Sequence, residues 1–116
     1  MNNIIQINAA IAEATGIAPT AFTAFNISEV PSITFTAYRQ GDNAVTEEWR
    51  YSTRVTAESL EEAMQIEEQI ADSLTTLGDE EKFSALRIEV NGGGTLEDET
   101  TGFPQLLTYY DITVRS

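Results

Sequence analysis

The stretch EEWRYSTRVTAESLEEAMQIEEQIADSLTTLG, residues 47–78, changes its hydrophobic period once, and the fold turns on that change. In its first part Trp49, Tyr51 and Val55 share one face with the preceding Val45, interrupted by Glu47. Thr46, Glu48, Arg50, Ser52, Arg54 and Thr56 share the other. A period of two marks a half-buried strand. From Ser59 onward the period becomes helical. Leu60, Ala63, Ile66, Ile70, Leu74 and Leu77 recur every three or four residues, with Glu58, Glu61, Glu62, Glu68 and Asp72 largely opposite. Ser59 and Glu62 have capping-box spacing, and Gly78 is the expected stop. The strand therefore feeds a helix whose apolar stripe covers one face of a sheet.

The flanks extend this unit. Upstream, SITFTAYRQ (32–40) alternates Ile33, Phe35 and Ala37 against Thr34, Thr36 and Tyr38. QGDN (40–43) is tight-turn chemistry, so a β-hairpin is expected here. Ile4, Ile7, Ile11 and Ala14 have helical spacing, with Asn2 or Asn3 to cap and Gly16 to stop. Between them APTAFTAFNISEVP (18–31) reads as a short strand or extended arm. Downstream, FSALRIEVN (83–91) alternates Leu86, Ile88 and Val90 with Arg87 and Glu89. QLLTYYDITVRS (105–116) sets Leu106, Tyr110, Ile112 and Val114 against Tyr109, Asp111, Thr113 and Arg115. The order α-β-β-β-α-β-β predicts one α+β domain over residues 1–116, an antiparallel-rich sheet with one long central helix and a short N-terminal helix.

Composition narrows the chemistry. Nineteen acids against six bases give a net charge of −13. Phosphate contacts need clustered Lys and Arg, so neither sequence-specific nucleic-acid binding nor an anionic membrane surface is expected. With no cysteine and no histidine, disulfides, thiol nucleophiles and the usual metal ligands are excluded, as is the commonest general base. Lys82 is the single lysine, and it sits beside acids that favour its charged form. The N-terminus lacks a basic segment of the secretory type, and no apolar run approaches a membrane-spanning length. A soluble cytoplasmic protein, or part of an assembly built in cytoplasm, is the expectation.

The stretch NGGGTLEDETTG (91–102) is tested against each phosphate and metal motif. A dinucleotide fingerprint fails because Glu97 occupies its third glycine position and no helix follows. A P-loop lacks its G-K-[ST], and the contiguous acids do not fit an EF-hand. A flexible solvated loop is expected at about 91–102, with Glu97, Asp98 and Glu99 facing a partner or a channel. The helical glutamates read as a solvated face, since carboxylate metal bundles pair Glu with His. Trp49 and Tyr51 are either core or interface anchors. The opposite face offers a candidate subunit interface of Glu48, Arg50, Arg54, Tyr109 and Arg115. Its arginines are either solvated partners of glutamates or members of inter-subunit ion pairs. No catalytic, cofactor or metal residue emerges.

The junction EEWRYSTRVTAESLEEAMQIEEQIADSL resembles the central strand-to-helix junction, S-x-x-E-A, of tail-completion and tail-terminator proteins of long-tailed phages. VPSITFTAY (30–38), after a short helix and an aromatic extended segment, resembles the family's early strand. TGFPQLLTYYDITVRS (101–116) is similar to its closing strand. The resemblance implies a non-enzymatic subunit of a commonly hexameric ring, placed in the tail or neck of a virion assembled in the host cytoplasm. Its partners would be further copies, the tail tube and the head connector. Acids lining the channel would repel passing DNA. The alternative class is a small monomeric α+β protein-binding or regulatory module, which would show a concave apolar pocket. An enzyme using only carboxylates would show a strongly raised carboxylate pKa in a cleft.

Overall fold

The period change at Ser59 appears as a strand handing over to a helix in a computed structural model that describes residues 2–21, 30–42, 46–78, 85–97 and 102–115. The elements are α1 (Asn2–Thr15), β1 (Thr20–Ala21), β2 (Ser32–Asp42), β3 (Thr46–Thr56), α2 (Leu60–Gly78), β4 (Ala85–Glu97) and β5 (Pro104–Arg115). The order is the expected α-β-β-β-α-β-β of an α+β domain. The strands form one sheet in the order β1-β2-β3-β5-β4. β1 runs parallel to β2, and every other pairing is antiparallel.

The alternating residues of β3 land as the period dictates. Tyr51 faces Ala37 and Tyr110 across its two neighbours, and Val55 faces Ile33 and Leu106. These inward side chains, with Ile112 and Val114, form the sheet's share of the core. Ile4, Ile7 and Ile11 of α1 and Ala63, Ile66, Ile70, Leu74 and Leu77 of α2 supply the helical share. Each fully buried Ile or Leu contributes about 1.5–3 kcal/mol. Tyr51 belongs to this core: it is fully buried, and its ring stacks on Phe35 at 5.7 Å between centroids. Trp49 is partly buried against the same cluster.

α2 carries its expected Ser59 cap and α1 its expected glycine stop. The Glu62 N–H donates to Ser59 Oγ at 3.1 Å, and the Ala63 N–H to the Ser59 carbonyl at 3.1 Å. Gly16 takes φ +75° after α1, and its N–H donates to the Ala12 carbonyl at 2.9 Å.

Four expectations change. Leu60 opens α2 but is 39% exposed, and Ala14 is also exposed, so neither belongs to the core. The QGDN turn moves outward: Gln40, Gly41 and Asp42 stay in β2, after a register irregularity between Arg39 and Gly41. The connection 43–45, which includes Val45, lies outside the described residues. Val90 sits opposite Tyr110 on the helix-facing side, yet is 62% exposed, beyond the cover of the described helices.

The glycine run is the largest correction. Residues 91–97 are strand, not loop: β4 continues to Glu97 against β5, through a bulge between Val90 and Gly93. Gly93 shows why. At its φ of +151° a Cβ would lie 2.2 Å from the Leu107 carbonyl oxygen. Only glycine lets the two backbones approach there, and such a residue marks a bulge. Residues 98–101 lie outside the described residues, and Asp98 and Glu99 with them.

Candidate functional site

Both helices pack on one face of the sheet, and the two faces carry different chemistry. On the face away from the helices, Arg50 of β3 stands opposite Asp111 of β5. Arg50 Nε donates to Asp111 Oδ1 at 3.2 Å, and Gln40 Nε2 donates to the same oxygen at 3.2 Å. Asn91 Nδ2 donates to Asp111 Oδ2 at 2.6 Å. One carboxylate thus gathers side chains from β2, β3 and β4. Burial alone would raise its pKa, but the bonds from Asn91, Arg50 and Gln40 and the charge of Arg50 outweigh that and hold it below the usual range. The Arg50 guanidinium also lies 5.6 Å from the centre of the Tyr109 ring.

Of the expected interface residues, the fold brings Arg50 over Tyr109, and Arg54 and Tyr109 line one dimple. Glu48 is exposed beside a dimple of about 90 Å³ shared with Gln40, Trp49 and Asp111. Arg54, in register with Thr34 and Leu107, borders a second dimple of about 100 Å³. Arg115 pairs through its backbone with Thr46. Glu97 is exposed at the last position of β4, opposite Pro104. Asp111 was assigned to this face by its alternation, but its role as hub depends on neighbours that only the strand order supplies.

The helix-covered face holds a groove of about 690 Å³ between the first half of α2 and the β4–β5 pair. Leu60, Met64 and Ala71 form its helical wall, and Val90, Leu106 and Thr108 line the strand side. Met64 is 56% exposed. At the base lies Glu67, only 9% exposed. The Tyr110 hydroxyl donates to its Oε1, and Thr53 Oγ1 donates to its Oε2 at 3.0 Å. Burial pushes the Glu67 carboxyl up, and hydroxyl bonds from Tyr110, Thr53 and Thr108 oppose it only in part. Burial and the Glu67 charge push the Tyr110 phenol up as well. Nearby, the Tyr51 hydroxyl donates to Asn8 Oδ1 at 2.6 Å and ties β3 to α1.

Glu67 is absent from the glutamates read as a solvated face, although the spacing points to it. It stands four residues after Ala63 and three before Ile70, within the buried stripe. Each of its oxygens already accepts a hydroxyl bond, from Tyr110 and from the fully buried Thr53, while Glu67 and Tyr110 themselves line the groove. Among the described residues no three acids cluster as a metal site, and no helix is long and apolar enough to cross a membrane. Models of known protein families give no match to this chain, and neither do curated proteins.

Proposed function

We propose that this chain is a non-enzymatic structural subunit of a long-tailed phage, which closes into an oligomeric ring to complete the tail or to join it to the head. The sequence resemblance at the strand-to-helix junction supports it, and so does the element order. The observation that carries it is the pair of unlike ends of the described sheet. Among the described residues β1 pairs with β2 at Thr34 and Phe35, and none pairs with the outer side of β2 from Thr36 to Asp42. At the far end β4 is the terminal strand among those described. Open edges invite pairing with another chain. These two edges differ in sequence and lie on opposite sides of the molecule. A contact between unlike patches on successive copies is the heterologous kind that generates rings. The polar face, with Arg50, Arg54 and Tyr109, borders the seam. The work of such a subunit is geometric: it presents one end to the tail tube and the other to the head connector. Glu67 serves folding in this reading, not turnover.

The test is electron microscopy and native mass spectrometry of the purified chain, alone at rising concentration and with purified tails of its phage. Rings are expected, on tail ends if not in free solution. The variant Arg50→Glu/Arg54→Glu should lose them while keeping its melting temperature. Absence of rings in both settings refutes the proposal, as does a gene lying outside a block of head and tail genes. The groove beside α2 favours a second reading, a monomeric protein-binding module. A chain that stays monomeric with tails present and binds a partner peptide would establish it.

A further inference from the structure

We propose that the groove between α2 and the β4–β5 pair is a docking site for a cationic amphipathic helix of a different protein. The inference does not depend on ring formation. It starts from a second stripe on α2. Beside the buried set, Leu60, Met64, Glu68 and Ala71 fall at intervals of four, four and three and face the groove. From Leu60 to Ala71 this wall runs roughly 16 Å, about three helical turns. Val90 and Leu106 oppose it from the strands. Leu60, Met64 and Val90 are all exposed, so the apolar lining is open to an occupant.

The lining decides the occupant's backbone. The groove lies over the face of the sheet, whereas the open hydrogen-bonding groups of edge strand β4 point along its plane. An extended peptide in the groove would bury backbone groups with no ladder to receive them. A helix satisfies its own, and lays apolar residues at i, i+4 and i+7 against such a wall. The occupant's charge follows from the rim. The titratable groups lining the groove are Glu61, Glu67, Glu68 and Tyr110, with no Lys or Arg among them. A helix with Lys or Arg beside its apolar face complements them. The occupant's origin follows from composition. Neither α1 nor α2 contains a Lys or Arg, and the exposed side of α1 offers Ile5, Ala9 and Glu13. A second copy would therefore bring an uncharged or acidic helix to an acidic rim.

The probe is a synthetic helix of roughly 18 residues with leucine on one face and lysine on the other, compared with a leucine–glutamate twin of the same pattern. Binding is followed by fluorescence anisotropy and by amide shifts in NMR spectra of the whole chain. The lysine peptide should bind and shift Leu60, Met64, Val90 and Thr108, and the glutamate twin should not bind. Met64→Ser/Val90→Ser, at two exposed positions, should weaken binding about tenfold. Glu61→Gln/Glu68→Gln should weaken it several-fold and flatten its salt dependence. If the lysine peptide does not bind, the proposal is wrong. Binding that ignores Met64→Ser/Val90→Ser would reduce it to attraction between a polycation and an acidic chain. Equal binding of the glutamate twin would refute the charge argument. The same shifts appearing with protein concentration, in the absence of peptide, would make the occupant a second copy instead. Because the readout is peptide binding by the single chain, its failure leaves the ring test standing, and the converse holds.

Discussion

The Tyr110 hydroxyl donates a hydrogen bond to Glu67 Oε1, joining the middle of β5 to the middle of α2 through a buried carboxylate. Thr53 holds the other oxygen from β3. An unpaired acid at that depth would be costly to ionise, and hydrogen bonds to a charged group recover about 1.5–3 kcal/mol each. The network also fixes how far α2 stands from the sheet. The base of the groove and the seat of the helix are therefore one structure.

Replacing that acid tests its ionisation. Burial raises the Glu67 pKa in the folded chain above its unfolded value of about 4.3. The folded state thus holds the proton more tightly than the unfolded state. The stabilisation is fully present below the unfolded pKa and is lost as pH rises through the folded one. Glu67→Gln cannot ionise and should equal or exceed the parent in stability at about pH 8, with the gap closing towards about pH 5. Urea melts across that range check it; a gap independent of pH would show that Glu67 does not titrate abnormally. Glu67→Ala strands the Tyr110 and Thr53 hydroxyls and should cost about 1–3 kcal/mol at every pH.

Much of the fold was legible because periodicity is a physical consequence of one-sided burial. Ile66, Ile70 and Leu74 are apolar at helical spacing because the sheet lies beneath them, and Tyr51 and Val55 are apolar on the face that the helices cover. What escaped followed other rules. Glu67 obeys the spacing and breaks the polarity, so a hydrophobic pattern skips it. Leu60 and Val90 obey the polarity, yet their burial depends on how far the helices reach across the sheet, which is a tertiary fact. The glycine run of β4 resembles a loop because the role of Gly93 is close backbone approach, which leaves no side-chain pattern.

Gly93 and Gly94 should separate sharply. Gly93→Ala places a methyl group 2.2 Å from a backbone oxygen, at a φ that L-residues rarely adopt. Its neighbours there are backbone atoms that cannot swing aside, so a loss of about 1–3 kcal/mol is expected. Gly94 has ordinary φ and open space. Gly94→Ala should change stability by no more than about 1 kcal/mol, in the stabilising direction. Equal losses for the two would mean that the bulge does not persist in solution.

The buried stripe and the groove stripe of α2 should respond differently to truncation. Leu74→Ala and Ile70→Ala each open a cavity in the core and should cost about 2–5 kcal/mol. Leu60→Ala removes a side chain already 39% exposed and should cost about 1 kcal/mol or less. Thermal melts of the three variants decide it. A large loss at Leu60 would place it in the core after all and close the open end of the groove.

Asp111 separates stability from assembly. Its carboxylate and Arg50 are each about one-third exposed, with side-chain accessibilities of 37% and 30%, so water and salt screen the pair. Asp111→Ala should therefore cost about 1 kcal/mol or less. Geometrically the change is larger, because Gln40, Arg50 and Asn91 all lose the acceptor that holds them in one arrangement across three strands. Arg50 would keep its place over Tyr109 but not its orientation. If the polar face borders the seam between ring subunits, Asp111→Ala should impair ring formation nearly as much as Arg50→Glu/Arg54→Glu, with a melting temperature close to that of the parent. Normal rings from Asp111→Ala, alongside failure of the double arginine variant, would show that the arginine charges matter and their fixed arrangement does not. Normal rings from both would remove the polar face from the interface and leave the ends of the sheet to carry it.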